Sequence, residues 1–302
     1  MAGSPARTSH PDSETQITLN MDIKHLRTFL EVARTRHFGK AADNLCVTQS
    51  AVSARIRLLE STLGVELFTR TRNDIQITAA GQRLLRHAES IVGTWSRARQ
   101  EAGLGPEFES VLAIGGVFDL WPIMLDDWLA GLPAALPSVA LQAEAYNTDE
   151  LVRRLVDDLL DLVVLFEPPQ IPDIGVRQIG KVELVLVASA PGLSLDDAMN
   201  DGYIMIDWGI SFSQEHARRF PDLPAPAARI GLGSLGLAFL RRRGGAAYLP
   251  ESVVSEDITS GHLFRVSQAP AFERDVFALY RPGTVREPAT LTAITRLQQC
   301  LK

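Results

Sequence analysis

The sequence predicts an α+β protein of several parts: a small helical head with a two-stranded wing, a long linking helix, and a two-lobed α/β body. Three observations lead there. Between Ile23 and Leu63, apolar residues recur at helical spacing in three short runs divided by turn residues. From about Thr78 to Glu101 a single helical stripe continues until Gly103, Gly105 and Pro106 end it. Beyond Pro106, apolar strands alternate with helical segments, the pattern of a parallel α/β fold.

With 302 residues, 46% of them hydrophobic, the chain has length for two or three domains and is neither globally disordered nor collagen-like. No uncharged apolar run approaches the roughly 20 residues of a membrane helix. Cys46 and Cys300 are too few for a disulfide framework or a cysteine-rich zinc site, and the six histidines lack ligand spacing. No metal, cofactor or membrane partner is therefore expected. Residues 1–20 are rich in Ser, Thr and Pro without a signal-like apolar core, and are expected to be a flexible extension, with Met21 as an alternative start. The default expectation is a cytoplasmic setting. Charge is uneven: residues 21–101 hold 13 Lys/Arg against 8 Asp/Glu, and residues 102–302 hold 16 against 26. A basic head on an acidic body suggests a polyanion-binding module joined to a part with another task.

Asp22 caps a first helix with Ile23, Leu26, Phe29, Leu30 and Ala33 on one face. Gly39 and Lys40 open a second, with Ala41, Ala42 and Leu45 buried. Cys46-Val47 makes the turn, Cys46 being expected as a small buried core residue. Thr48 caps a third helix whose inner face is Ala51, Val52, Ile56, Leu59 and Leu63, ended by Gly64. Two short helices, a tight turn and a longer helix make a helix-turn-helix. Small Ala41 and Ala42 allow the close crossing. Gln49, Ser50 and Ser53 lead the third helix away from its apolar stripe, as a reader of base edges in the major groove requires. A plain three-helix bundle in which they serve only as caps is the competing reading.

Phe68 to Thr78 reads as two short strands around a turn, a wing carrying Arg70 and Arg72 toward phosphate or minor groove, or else a solvated hairpin. On the long helix, Leu84, Ala88, Ile91, Trp95 and Ala98 follow spacings of four and three, a seam for a second copy of the chain. Packing of that stripe on the acidic body is the alternative.

In the body, strands are expected at Val111–Gly115, Val139–Ala145 and Leu162–Phe166, with helices at Leu120–Leu132 and Asp149–Asp157. After Pro168-Pro169, a second lobe has strands at Glu183–Ala188, Tyr203–Ile206, Ile230–Leu232 and Ala247–Pro250. Its helices are Ser213–Arg219 and Leu235–Arg243, the latter capped by Ser234. Phe277–Tyr280 is expected to cross back before a terminal helix Ala289–Leu301. Two lobes joined by two crossovers form a hinged clamp with a ligand cleft. The implied domains are 21–78 for the head, 79–105 for the linking helix and 106–302 for the body. Its first lobe takes 106–167 and 268–302, its second 168–267.

Leu26-Arg27-Thr28-Phe29-Leu30, Lys40-Ala41-Ala42, Thr48-Gln49-Ser50-Ala51-Val52-Ser53, Leu63-Gly64, Leu67-Phe68, Arg70 and Thr78-Ala79-Ala80-Gly81 together resemble the signature of LysR-type transcriptional regulators. The run from Glu31 to Gly39, with Thr94-Trp95, resembles the subgroup of the enterobacterial regulator of the flagellar master operon. The resemblance implies a winged helix-turn-helix bound to double-stranded promoter DNA, a dimerising linker helix, homodimers or homotetramers, and a periplasmic-binding-protein-like effector domain. By it, Gln49, Ser50 and Ser53 face bases, Thr48 and Arg55 approach backbone or flanking bases, and Arg70 and Arg72 lie near phosphate. Ala54 departs from the long polar residue common there, which reduces readout from that position to apolar contact.

The resemblance also places a small-molecule effector between the lobes. The corresponding positions are Val117 and Phe118, Asn147 and Thr148, Phe166 with Glu167, Asp207 and Trp208, and Ser234 at a helix start. Val117 and Phe118 cannot hold a carboxylate as a Ser or Thr would, which points to an apolar or aromatic ligand stacked on Phe118 or Trp208. A closed cleft with those aromatics in the core is the equal alternative. Two further classes remain: a solute-binding protein, for which an export signal is missing, and an enzyme, for which no catalytic constellation is found. Arg241-Arg242-Arg243 ends a helix and is read as a solvated terminus.

Overall fold

The computed structural model describes residues 22–70 and 75–300. The extension and Met21 lie outside the described residues, as do 71–74, which include Arg72. The chain forms two units that part between Ser96 and Arg97.

In the first unit, α1 (Ile23–Thr35) starts at Asp22, whose carboxylate accepts from Lys24 N at 2.9 Å while His25 Nδ1 accepts from the Asp22 N–H. Helix α2 (Phe38–Asn44) begins one residue before the expected Gly39, because the His37 imidazole caps it through Gly39 N and Lys40 N. Ala41 and Ala42 are buried, as expected, against α3 (Gln49–Leu63). Leu45, the helix C-cap, is only half-buried. Cys46 corrects an expectation: it adopts φ +53° in the turn and is exposed, so it contributes nothing to the core. Helix α3 ends at Gly64, φ +69°; Leu63, placed inside by its spacing, is exposed because the chain turns away there.

The wing pairs β1 (Phe68–Arg70) with β2 (Ile75–Ile77), antiparallel, and Glu60 of α3 accepts from Leu67 N at 2.9 Å where the wing leaves the helix. Helix α4 (Ala79–Ala102) follows, with Thr78 Oγ1 accepting from Gly81 N at 3.0 Å. A β-carbon on Gly81 would stand 2.4 Å from the Leu67 carbonyl oxygen, so only glycine fits where α4 meets the wing. Phe29, Phe38 and Phe68 cluster in this core, the first two ring pairs with Phe68 lying 5.4 and 6.4 Å apart.

The second unit is built on one sheet of β3 (Ser110–Val117), β4 (Val139–Tyr146), β5 (Leu162–Leu165), β6 (Gly175–Ala188), β7 (Tyr203–Ile206), β8 (Ala228–Ile230), β9 (Ala246–Pro250), β10 (Phe264–Arg265) and β11 (Phe272–Tyr280). The order is β4-β3-β5-β11-β6-β9-β7-β8, with β10 beside β6. Each end is a parallel trio, and β11 and β6 run antiparallel between them. The two expected crossovers are therefore themselves strands. Both begin earlier than their apolar runs suggested: β6 at Gly175, with Val176, Arg177 and Gln178 all exposed, and β11 at Phe272, whose first residues alternate inward and outward.

The helices are α5 (Asp126–Ala135), entered by a π-helical turn at Trp121–Leu125, α6 (Thr148–Val156), α7 (Leu195–Asn200), α8 (Ile210–Arg219), α9 (Gly233–Arg243), α10 (Glu251–Thr259) and α11 (Glu287–Cys300). Ser234 does not cap α9: the helix starts at Gly233, and its N-cap residue, Leu232, offers no side-chain bond. Arg241 at its other end pairs with Asp257 at 2.6 Å, while Arg242 and Arg243 are exposed. Buried Asp161 accepts from Ala113 N at 2.8 Å, Arg286 Nε at 2.6 Å and the Arg97 guanidinium, fixing the last turns of α4 to this sheet.

Candidate nucleic-acid interface and ligand cleft

Helix α3 presents its N-terminus as a short polar surface. Thr48 Oγ1 accepts from Ala51 N at 3.2 Å and lies 2.9 Å from Ser50 Oγ. Gln49, Ser50 and Ala54 are exposed, and Ser53 is half-buried. These side chains are held by Val52, Ile56 and Leu59 turning the opposite face into the core. Arg55 folds back instead: its Nη1 donates to Thr28 Oγ1 of α1 at 3.3 Å. Arg70 is the last residue of β1.

The stripe on α4 divides in two. Leu84 and Ala88 pack into the core of the head itself, Ala88 without exposure. One and two turns on, Ile91 and Trp95 are 43% and 48% exposed. Ala98 is exposed as well. Beside the same helix, Leu30, Ala33 and Leu45 with Leu85 line a groove rimmed by Arg27, Glu31, Arg34 and Glu89.

In the second unit, a cleft of about 300 Å³ opens between the two ends of the sheet. Val117, Phe118, Asn147, Thr148, Phe166, Asp207 and Trp208 line it; Ser234 lies outside the lining. Phe118 is 51% exposed. Trp208 is 3% exposed, donates Nε1 to the Tyr248 carbonyl at 2.9 Å and packs against Gly233, so its indole belongs to the wall and the core. Asn147 Oδ1 caps α6 through Glu150 N at 2.9 Å.

Two cleft residues escaped the sequence reading. Asp119 accepts from Gly233 N at 2.8 Å, and burial pushes its carboxyl above the usual value although the α9 backbone N–H groups oppose the shift. Arg274 of β11 is 4% exposed; its Nη2 donates to Glu167 Oε1 at 3.0 Å and its guanidinium lies over the Phe166 ring, 4.9 Å from the centroid. Burial holds its pKa below the usual arginine value, with Glu167 and Asp207 opposing. Glu167 Oε1 also accepts from Ser211 N in α8 at 3.0 Å. The signal for Arg274 was the alternation Phe272, Arg274, Val276 on one inward face, legible only if the strand is begun at Phe272. Among the described residues, no cluster of three metal-ligating side chains exists, and no helix is long and apolar enough to cross a membrane.

Residues 23–82 match the family described as bacterial regulatory helix-turn-helix protein, lysR family, and residues 107–301 match the LysR substrate binding domain. A relative from Yersinia enterocolitica named HTH-type transcriptional regulator HdfR is 39% identical over 241 residues, covering 76% of this chain and 82% of its own. That name agrees with the flagellar-operon subgroup that Glu31–Gly39 resembles. Two solved structures share the fold: CbnR, a LysR family transcriptional regulator (TM-score 0.72, 19% identity, 93% of this chain and 100% of that one), and full-length CbnR complexed with its target DNA (TM-score 0.70, 20% identity, the same coverage). The two domain matches, taken with that identity, show that the chain belongs to the LysR family of bacterial transcriptional regulators.

Proposed function

We propose that this regulator works in the cytoplasm as a homodimer or homotetramer on promoter DNA, and that a small-molecule effector in the cleft sets how its heads are held. The head is residues 21–78, the linker helix 79–105 and the effector domain 106–302, with lobes 106–167 plus 268–302 and 168–267. The observation that carries the reading is the exposed polar start of α3, where Gln49 and Ser50 stand free of the core. In this reading Gln49, Ser50 and Ser53 meet base edges, Thr48 meets the backbone, and Arg70 and Arg72 grip phosphates from the wing. Arg55, bonded to Thr28, acts by orienting α3 and reaches the duplex only by leaving that partner.

Ile91, Trp95 and Ala98 form the seam between copies, since their face of α4 is bare beyond the head. Val117, Phe118, Asn147, Thr148, Phe166, Asp207 and Trp208 surround the effector, and Ser234, outside the lining, follows the Gly233 N–H that Asp119 holds. A regulator that acts with a closed cleft is favoured by the Asp119–Gly233 bond across it; the open volume and the exposed Phe118 support a ligand instead. Footprinting of the purified protein on the DNA flanking its own gene tests the function. Protected half-sites about one helical turn apart, or multiples of that, are expected. No preference over random duplex would remove the proposal.

A further inference from the structure

Among the described residues, the cleft lining contains one buried side-chain polar atom whose hydrogen-bonding need the protein leaves unmet. Nη1 of the buried Arg274 is closed to solvent and has no acceptor, although Nη2 is bonded to Glu167. A β-carbon on Gly209 would stand 2.9 Å from that Nη1 and 3.0 Å from Nη2, so the guanidinium lies directly against a bare stretch of the cleft wall. The acids of the cleft, by contrast, are already served. Asp119 holds Gly233 N at the start of α9, Glu167 holds Ser211 N at the start of α8, and Asp207 Oδ1 holds Gly209 N at 2.9 Å. Of the three helix N-termini at the cleft, those of α8 and α9 therefore carry carboxylates of the protein itself, and that of α6 is capped by the Asn147 amide oxygen. Among the described residues of the lining, the one buried side-chain donor left without an acceptor is Arg274 Nη1.

Charge adds a second condition. Three carboxylates, Asp119, Glu167 and Asp207, line the cleft against one guanidinium, so a ligand with negative charge alone meets net repulsion. A ligand that also carries an ammonium group is drawn to Asp207, which is exposed. The apolar lining adds a third: Phe118 is exposed, with half-buried Val117 and Phe166 in the same lining.

Resting on the reading of this cleft as the effector site, we propose that it binds a free α-amino acid with an apolar side chain. The ligand carboxylate accepts from Arg274 Nη1, its ammonium lies beside Asp207, and its side chain covers Phe118. The full chain is titrated by calorimetry with L-leucine and L-phenylalanine, with their deaminated counterparts 4-methylpentanoate and 3-phenylpropanoate, and with the amines 3-methylbutylamine and 2-phenylethylamine. At least one amino acid should bind about tenfold or more tightly than both its acid and its amine, since each lacks one of two charged contacts. Neither amino acid binding, or an acid or amine binding as tightly, overturns the proposal.

Asp207→Asn, at an exposed position, should bring amino-acid affinity down to that of the acid; an unchanged affinity also overturns it. Arg274→Gln should abolish binding with the circular dichroism retained, and retained binding counts against the assignment. If that variant does not fold, the ligand comparison on the natural chain decides alone. Promoter binding without ligand is measured on the same preparation. A protein that binds promoter DNA but neither amino acid loses this inference and keeps the proposed function.

Discussion

Asp119 Oδ1 accepts a 2.8 Å hydrogen bond from the backbone N–H of Gly233, so a carboxylate from the turn after β3 caps α9 on the far side of the cleft. The chain places no hydroxyl cap at this helix start, and a residue 114 positions away does the work instead. Removing a helix cap costs about 1 kcal/mol, and Asp119→Ala should destabilise the effector domain by that order in urea unfolding.

The same carboxyl gives a pH dependence. Burial raises its pKa above the unfolded value of 3.8, so the folded state binds the proton more tightly than the unfolded state does. Its contribution to stability is then greatest below about pH 4 and falls as pH rises through the raised folded value. Stability relative to Asp119→Asn should decline over that interval and level off above it. A difference that grows with pH would show that the α9 N–H groups outweigh burial.

Gly81 tests the joint between wing and linker helix. An alanine there drives its β-carbon to 2.4 Å from the Leu67 carbonyl oxygen and 2.6 Å from Ile77 Cγ1. The first is backbone and cannot step aside cheaply. Gly81→Ala should destabilise the head by about 1–3 kcal/mol, read as an earlier unfolding transition, with the effector domain's transition unmoved.

Asp161 is a buried carboxylate shared by Arg286 and Arg97. Deleting it strips both guanidiniums of their buried counterion, leaves them only the more exposed Glu101 and Asp158, and orphans the buried Ala113 N–H. Asp161→Ala should cost about 3–5 kcal/mol in the effector domain. Replacing Asp158, the exposed partner of Arg286 at 3.3 Å, should cost far less and serves as the control.

What the sequence made legible follows from which interactions are local. The head was readable almost to the residue, because Asp22, Thr48 and Gly64 act on their own helices and Ala41-Ala42 marks a close crossing. His37 was missed as a cap because an imidazole accepting backbone N–H bonds is not among the usual capping residues. In the effector domain the apolar strands were visible, whereas the start of β6 was hidden by its exposed run Val176–Gln178 and that of β11 by alternation with charged residues. Asp119 meets Gly233, and Glu167 meets Arg274, only because the sheet, with β11 between β5 and β6, sets positions more than 100 residues apart against one cleft. Nothing in local spacing encodes that meeting.

Base readout is separable from grip. In the proposed reading Gln49 and Ser53 meet base edges, so Gln49→Ala and Ser53→Ala should reorder affinities among operator variants by about 1–3 kcal/mol at the base pair each reads. The salt dependence should stay unchanged in both. Arg70→Ala should do the reverse, weakening binding on every sequence and flattening the salt slope by about one unit. Gel shifts across a salt series distinguish the two behaviours, and an unchanged ranking would take that residue out of the reading surface.

The division of the α4 stripe makes the seam testable without unfolding the head. Ala88 sits in the head's own core with no exposure, so a charge there attacks folding. Ile91 lies three residues on and is 43% exposed in a single chain, so Ile91→Asp leaves the head's packing intact. If Ile91 and Trp95 are covered by a second copy, each contributes about 1.5–3 kcal/mol of apolar burial per chain to association. Ile91→Asp should then yield folded monomers in sedimentation with weakened binding to paired half-sites, while Ala88→Asp loses helical signal outright. An Ile91→Asp protein that sediments as an intact dimer would place the seam on another surface, and the groove between Leu30 and Leu85 is the next to substitute.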